Sequence, residues 1–296
     1  MKRSIILIAI AILAIGGAYA QTTTKKFTKG DFTSIKAEYA YNVNITKGSS
    51  NIIELICPER IVEYLEVSVS NNTLYLSADM PKGFWGNKVS LKGDEEIIVN
   101  VEMEEIENIS LSGASSVRAW GKFKTNNFKL TMSGASEIED ALNIEADKFT
   151  YSLSGASEAI VCGVFQNISG HISGASEFEL NADATNLTAG CSGASEMEYS
   201  GRVSEKIAIE CTGASEVNMT GNCSEISIEC SGASEVDAEE MISQNAQAYA
   251  TGASFIKVYA DGKLNLKASG GSKIRYYGKG EYIPDETSSN PIARGK

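Results

Sequence analysis

The sequence predicts an all-β protein: a right-handed parallel β-solenoid (β-helix) with coils of about 20 residues and an irregular N-terminal cap region. Three observations point there. The string Ser112-Gly113-Ala114-Ser115 recurs with its glycine at 113, 134, 155, 174, 193, 213, 232 and 252, and as Ser269-Gly270-Gly271-Ser272, in steps of 18 to 21 residues. Around it apolar and polar residues alternate at period two, as in Phe128, Leu130, Met132 and Ile226, Ile228, Cys230, which marks strands. Proline is absent from Gly83 to Ile283, as continuous hydrogen-bonded ladders require. Nine copies at this period mean that each unit buries its apolar side against its neighbours, and parallel crossovers favour the right hand.

Residues 1–20 read as a secretory signal peptide. Lys2 and Arg3 precede an apolar run from Ile5 to Ile15, and Ala18-Tyr19-Ala20 is a small-residue cleavage site, the three parts of such a leader. The run is shorter than the roughly 20 residues of a membrane span. Cleavage near Gln21 leaves an exported chain with no further spanning segment, in the periplasm or on the outer cell surface.

Residues 21–108 lack the repeat but hold strand-like runs at 35–45, 52–57, 66–70, 73–78 and 96–103, and a short helix is expected between Pro58 and Leu65. They are expected to form first coils or a cap continuous with the solenoid, whose open end needs cover. The loop from Pro81 to Gly86 carries Phe84 and Trp85, which are expected to be buried.

Residues 109–283 form the solenoid. Two positions before each motif glycine stand Leu111, Met132, Leu153, Ile172, Cys191, Cys211, Cys230, Ala250 and Ala268; four after it stand Val117, Ile138, Ala159, Phe178, Met197, Val217, Val236, Ile256 and Ile274. Both columns point inward. The glycine is a corner residue with a backbone conformation closed to other residues. The following alanine is expected to face into the crowded corner, and the second serine to bond the corner backbone. Residues 284–296 read as a polar C-terminal tail.

The chain of 296 residues carries 26 Lys and Arg against 38 Asp and Glu, a net charge of −12. That balance excludes a nucleic-acid surface, which needs a basic stripe. The charge is uneven: residues 102–241 hold 24 acids and 7 bases, whereas 255–296 hold 4 acids and 8 bases. One histidine, His171, leaves little for triad hydrolases or zinc enzymes. The motif lacks the second glycine of a nucleophile elbow, and no coil carries the unique acid–base cluster of a polysaccharide-active enzyme.

Two arrangements are candidate sites. Glu137, Glu158, Glu177, Glu196, Glu216 and Glu235 follow the motif serine in consecutive coils. In register they make a carboxylate ladder, whose oxygens suit Ca²⁺. At the C-terminal end Tyr259, Tyr276 and Tyr277 stand with Lys257 and Arg275, a set suited to a glycan or to an acidic protein, a second copy included; the alternative is a terminal cap. Of the six cysteines, 191, 211 and 230 share an inward column, where parallel Cβ vectors suit a stack of small hydrophobes better than a disulfide.

The serial Ser-Gly-Ala-Ser-Glu motif, preceded by Phe32-Thr33-Ser34-Ile35, Val43-Asn44-Ile45, Leu65-Glu66-Val67 and Asn72-Thr73-Leu74-Tyr75-Leu76, resembles the head GIN domain family of auto-transporter adhesins common in Bacteroidetes. The resemblance covers roughly 27–280. It implies a β-helical extracellular or periplasmic domain with an adhesin role, and brings no catalytic or binding residues. A non-catalytic binding module is the leading expectation, and a structural or assembly protein of the envelope the second.

Overall fold

The computed structural model describes residues 22–28, 30–50, 52–83, 86–87, 91–283 and 291–295. The expected leader, the aromatics Phe84 and Trp85, and most of the C-terminal tail lie outside these residues.

The repeats form a β-solenoid of nine coils, numbered here by motif glycine from Gly113 (coil 1) to Gly270 (coil 9). Strands lengthen towards the middle, from Ser116–Trp120 to Glu158–Ile172, Glu177–Cys191, Glu196–Cys211, Glu216–Cys230 and Glu235–Ala250. Each lies parallel to the equivalent strand of the next coil, with the motif columns in register: Cys191 pairs Cys211 and Cys211 pairs Cys230, as Phe178 pairs Met197 and Met197 pairs Val217. The period-two alternation thereby becomes a filled interior, and both inward columns are buried throughout.

Every motif glycine has a positive φ, between 70° and 81°. From Ala135 to Ala253 each motif alanine N–H donates to the glycine carbonyl of the preceding coil, at 2.7 Å from Ala135 to Gly113 and from Ala156 to Gly134. The alanine is not inside the corner, contrary to expectation: from Ala114 to Ala253 it is exposed in every coil that has it. The left-handed glycine turns the chain so that it and the alanine both face out, and the second serine goes in. Those serines, from Ser115 to Ser272, are 0–1 % exposed. Eight donate to the carbonyl three residues back, Ser157 to Ser154 at 2.7 Å and Ser176 to Ser173 at 2.9 Å among them. Ser195 Oγ is the exception, with no partner among the described residues.

Aromatic core residues of neighbouring coils cluster together. Phe149 stacks on Phe128 and Phe165, each at 5.1 Å between ring centres, and Tyr151 meets Phe178 at 4.6 Å. Tyr151 leans over Gly170, its partner in the next coil.

Ahead of coil 1, Ser34–Ala37 and Tyr41–Lys47 pair parallel with Asn108–Leu111 and Ser116–Trp120. The expected single run over 35–45 is split at Tyr39, whose φ of 91° places it at the corner in glycine's stead. Ala114 N–H donates to the Tyr39 carbonyl at 2.6 Å, so the corner column begins one coil before the motif does. Thr73–Ala78 and Ile97–Met103 lie beneath as the next parallel rungs. Pairing then turns antiparallel: Leu65–Ser70 on Thr73–Ala78, Ile52–Pro58 on Ile97–Met103, and Thr22–Thr28 on Ile52–Pro58. A 3₁₀ helix spans Glu59–Tyr64. At the other end Ile292–Arg294 pairs with Lys273–Tyr277, and Ile292 packs on the core. No described helix is long and apolar enough to cross a membrane.

Candidate functional site

Directly after the corner, three outward positions per coil build one face of the rod. Its first column runs Ser116, Glu137, Glu158, Glu177, Glu196, Glu216, Glu235, Phe255, Lys273, its second Arg118, Glu139, Ile160, Glu179, Glu198, Asn218, Asp237, Lys257, Arg275, and its third ends in Tyr259 and Tyr277. The ladder expected from the sequence is in register: Glu137 pairs Glu158, and the pairing continues rung by rung to Glu235. Strand spacing sets rungs about 4.8 Å apart, so like charges crowd. Partial burial and the flanking Glu139 and Glu158 raise the pKa of Glu137, and partial burial with Glu216, Glu177 and Glu198 raises that of Glu196.

None of the six ladder glutamates has an ion pair among the described residues; cations reach the second column at its ends instead. Arg118 bridges Glu139 at 2.5 Å and Asp140 at 2.8 Å in coils 1 and 2, and Lys257 bridges Asp237 across coils 7 and 8. Between them, Glu158, Ile160, Glu177, Phe178, Glu179, Glu196 and Glu198 line a shallow open groove. Among the described residues no three carboxylate, imidazole or thiol groups are gathered as a metal cage; the ladder is a line of neighbouring pairs.

The C-terminal candidates are brought together in part. Lys257 pairs Arg275 in register and Tyr259 pairs Tyr277, so these four share the face with Phe255 and Lys273. Both cations approach the Phe255 ring, Lys257 Nζ at 5.9 Å and Arg275 at 5.7 Å, within range of a cation–π attraction. The Tyr259 phenol donates to Asp261 at 3.1 Å, which raises its pKa; Glu239 does the same to Tyr277. Tyr276 belongs elsewhere. Alternation turns it inward, where it packs on the end of the core and meets Tyr282 at 5.8 Å. Phe255 and Lys273 take its place in the patch; their positions, three after the motif glycine where other coils carry glutamate, were the available signal.

His171 is exposed, and its Nε2 lies 2.9 Å from Ser192 Oγ. No carboxylate is hydrogen-bonded to the imidazole among the described residues. Cys191, Cys211 and Cys230 are free, buried thiols.

The fold is thus a β-solenoid with a side-chain-filled interior and a charged, repetitive outer face. The family model described as "Putative auto-transporter adhesin, head GIN domain" matches residues 31–198 and 165–280, and the chain belongs to that family. Three solved structures share the fold. A putative adhesin from Parabacteroides merdae is 16% identical, with 93% of this chain and 96% of that one covered at a TM-score of 0.52. A putative adhesin from Parabacteroides distasonis is 15% identical, covering 93% and 98% at 0.51. A protein from the same organism described as a putative lipid binding protein is 17% identical, covering 93% and 97% at 0.50. No curated protein matches the chain.

Proposed function

We propose that this protein is a non-catalytic, exported binding module of the adhesin type, which meets an anionic ligand through the patch of Phe255, Lys257, Tyr259, Lys273, Arg275 and Tyr277. One observation carries the reading: in coils 8 and 9 the face that is acidic for six coils becomes cationic and aromatic in the same columns. Aromatic rings beside cations suit sugar rings bearing sulfate or carboxylate, and suit acidic protein surfaces. The family membership supports an adhesive role, and the leader-like first 20 residues support export. A non-catalytic role is supported by the repetition itself, since a ladder of equivalent glutamates offers no one coil with distinct acid and base.

The test is binding of the chain from Gln21 onward to immobilised sulfated, uronic-acid and neutral polysaccharides. Retention on the anionic polymers, weakened by salt and lost in Lys273→Glu/Arg275→Glu, is expected. Equal retention on neutral and anionic polymers, or none on either, would sink the patch assignment. Protease shaving of intact cells, with a periplasmic protein as control, tests exposure at the outer surface.

A further inference from the structure

Both halves of a charge-complementary contact stand on one face of this protein. Glu216 and Glu235, on coils 6 and 7, form no ion pair among the described residues, and neither do Lys273 and Arg275 on coil 9. The cations cannot reach the carboxylates of coil 6 within one copy, because coils 7 and 8 intervene.

We propose that the patch docks on the acidic strip of a second copy, packed antiparallel so that coils 8 and 9 of each copy lie over coils 7 and 6 of the other. This names a partner for the patch and rests on the binding role assigned to it above. The periods match without adjustment: cations and carboxylates are each spaced by one β-strand separation, about 4.8 Å. Antiparallel packing sets Lys273 and Arg275 over the Glu216 coil, and Lys257, which is already bridged to Asp237 of its own copy, over the Glu235 coil, twice, about a two-fold axis, which closes the assembly at a dimer. Parallel packing in register would set acid on acid and base on base.

On these rungs Glu216, Lys273 and Arg275 are exposed and Glu235, Asp237, Phe255 and Lys257 half-buried, a face without a deep groove among the described residues. Four overlapping coils span about 19 Å, and five residues of strand across them about 17 Å, roughly 300 Å² per copy. That is well below the approximately 800 Å² per partner of a standard stable interface, so the dimer is weak and salt-dependent.

Sedimentation velocity on the chain from Gln21 onward reads this directly. At about 20 mM salt a concentration-dependent dimer is expected, and at about 0.5 M salt a monomer, since screening shortens to a few ångström. Lys273→Glu/Arg275→Glu and Glu216→Lys/Glu235→Lys should each be monomeric at low salt, and mixing the two should restore a heterodimer. All four substitutions are at rung positions on the outer face, and unchanged circular dichroism shows that the rod is intact. A wild-type chain that stays monomeric at every concentration overturns the proposal. So does a dimer indifferent to salt, or a mixture that fails to associate. Polysaccharide binding by a strictly monomeric chain would leave the binding function standing while removing the dimer; a salt-sensitive dimer that ignores every polysaccharide would do the reverse.

Discussion

A Cβ placed on Gly155 would stand 2.4 Å from the carbonyl oxygen of Gly134, one coil away. The same approach recurs up the corner, since Gly174 would meet Gly155 at 2.5 Å and Gly232 would meet Gly213 at 2.6 Å. The glycine therefore answers two demands, a left-handed backbone and a stack too close for any side chain.

Gly155→Ala is expected to destabilise the protein by about 2 kcal/mol or more, combining left-handed strain with a displaced backbone. Ala156→Ser, at the exposed position beside it, should change stability by less than about 0.5 kcal/mol. Thermal denaturation of the two variants compares them, and equal losses would mean that the corner is not close-packed.

Much of this was legible in the sequence, because a β-stack repeats its own geometry. The columns that include Cys230 and Val236 needed only alignment on the glycine, since period two and coil register fix which residues point inward. The alanine escaped that logic: a left-handed residue breaks alternation, so the parity on which the inward reading relied fails at the corner. Tyr276 was misplaced for a simpler reason. Its neighbour Tyr277 has the same side chain, and only the parity counted from Gly270 separates the outward ring from the inward one. The N-terminal rungs have no repeat to align, and the place of Thr73–Ala78 beneath Ser34–Ala37 follows from a parallel pairing between residues 39 apart, Ser34 with Thr73, that no local pattern records.

The serine column offers an internal control. Ser176 Oγ donates to the Ser173 carbonyl at 2.9 Å, whereas Ser195 Oγ is buried without a partner among the described residues. Ser176→Ala should cost about 1 kcal/mol. Ser195→Ala removes a hydroxyl whose desolvation nothing offsets, and should be neutral or slightly stabilising. Urea midpoints for both variants decide it, and a larger loss at Ser195 would show that its hydroxyl is bonded after all.

The cysteine stack should be chemically silent in the native state. Cys191, Cys211 and Cys230 are 0–3 % exposed; hydrogen bonding within the stack pushes the thiols of Cys191 and Cys230 up and that of Cys211 down, so burial is what keeps a reagent away, and burial pushes Cys223 up to about 12. A thiol needs access as well as ionisation to react, so modification of these three by an aromatic disulfide reagent should proceed only as fast as the protein unfolds, whereas the half-buried Cys162 is open to faster reaction. Cys211→Ala should lose about 1–2 kcal/mol as a cavity, while Cys211→Val should stay within about 1 kcal/mol of wild type, as expected of a packing residue. Rapid labelling of Cys211 in the folded chain would contradict the stack.

Stability should pass through a maximum below neutrality, because two sets of carboxylates respond to acid in opposite senses. Glu137 and Glu196 have raised pKa values in the folded state, so over the window above the ordinary carboxylate value the native chain binds more protons than the unfolded one. There the slope of unfolding free energy with pH is negative, and acidification from pH 7 relieves the ladder and stabilises the rod. Glu54, beside Asn100 and Lys26, and Asp261, which accepts from the Lys279 N–H, have lowered values. Their contribution is complete above the unfolded carboxylate pKa and is lost as pH falls through the folded one. The melting temperature should therefore rise from pH 7 towards pH 5, at low salt most of all, and drop below about pH 4. Glu137→Gln/Glu196→Gln should raise it at pH 7 and flatten the rise, since the neutral amide does at neutral pH what protonation does in acid. A double variant with an unchanged slope would mean that the ladder's repulsion is already screened by solvent.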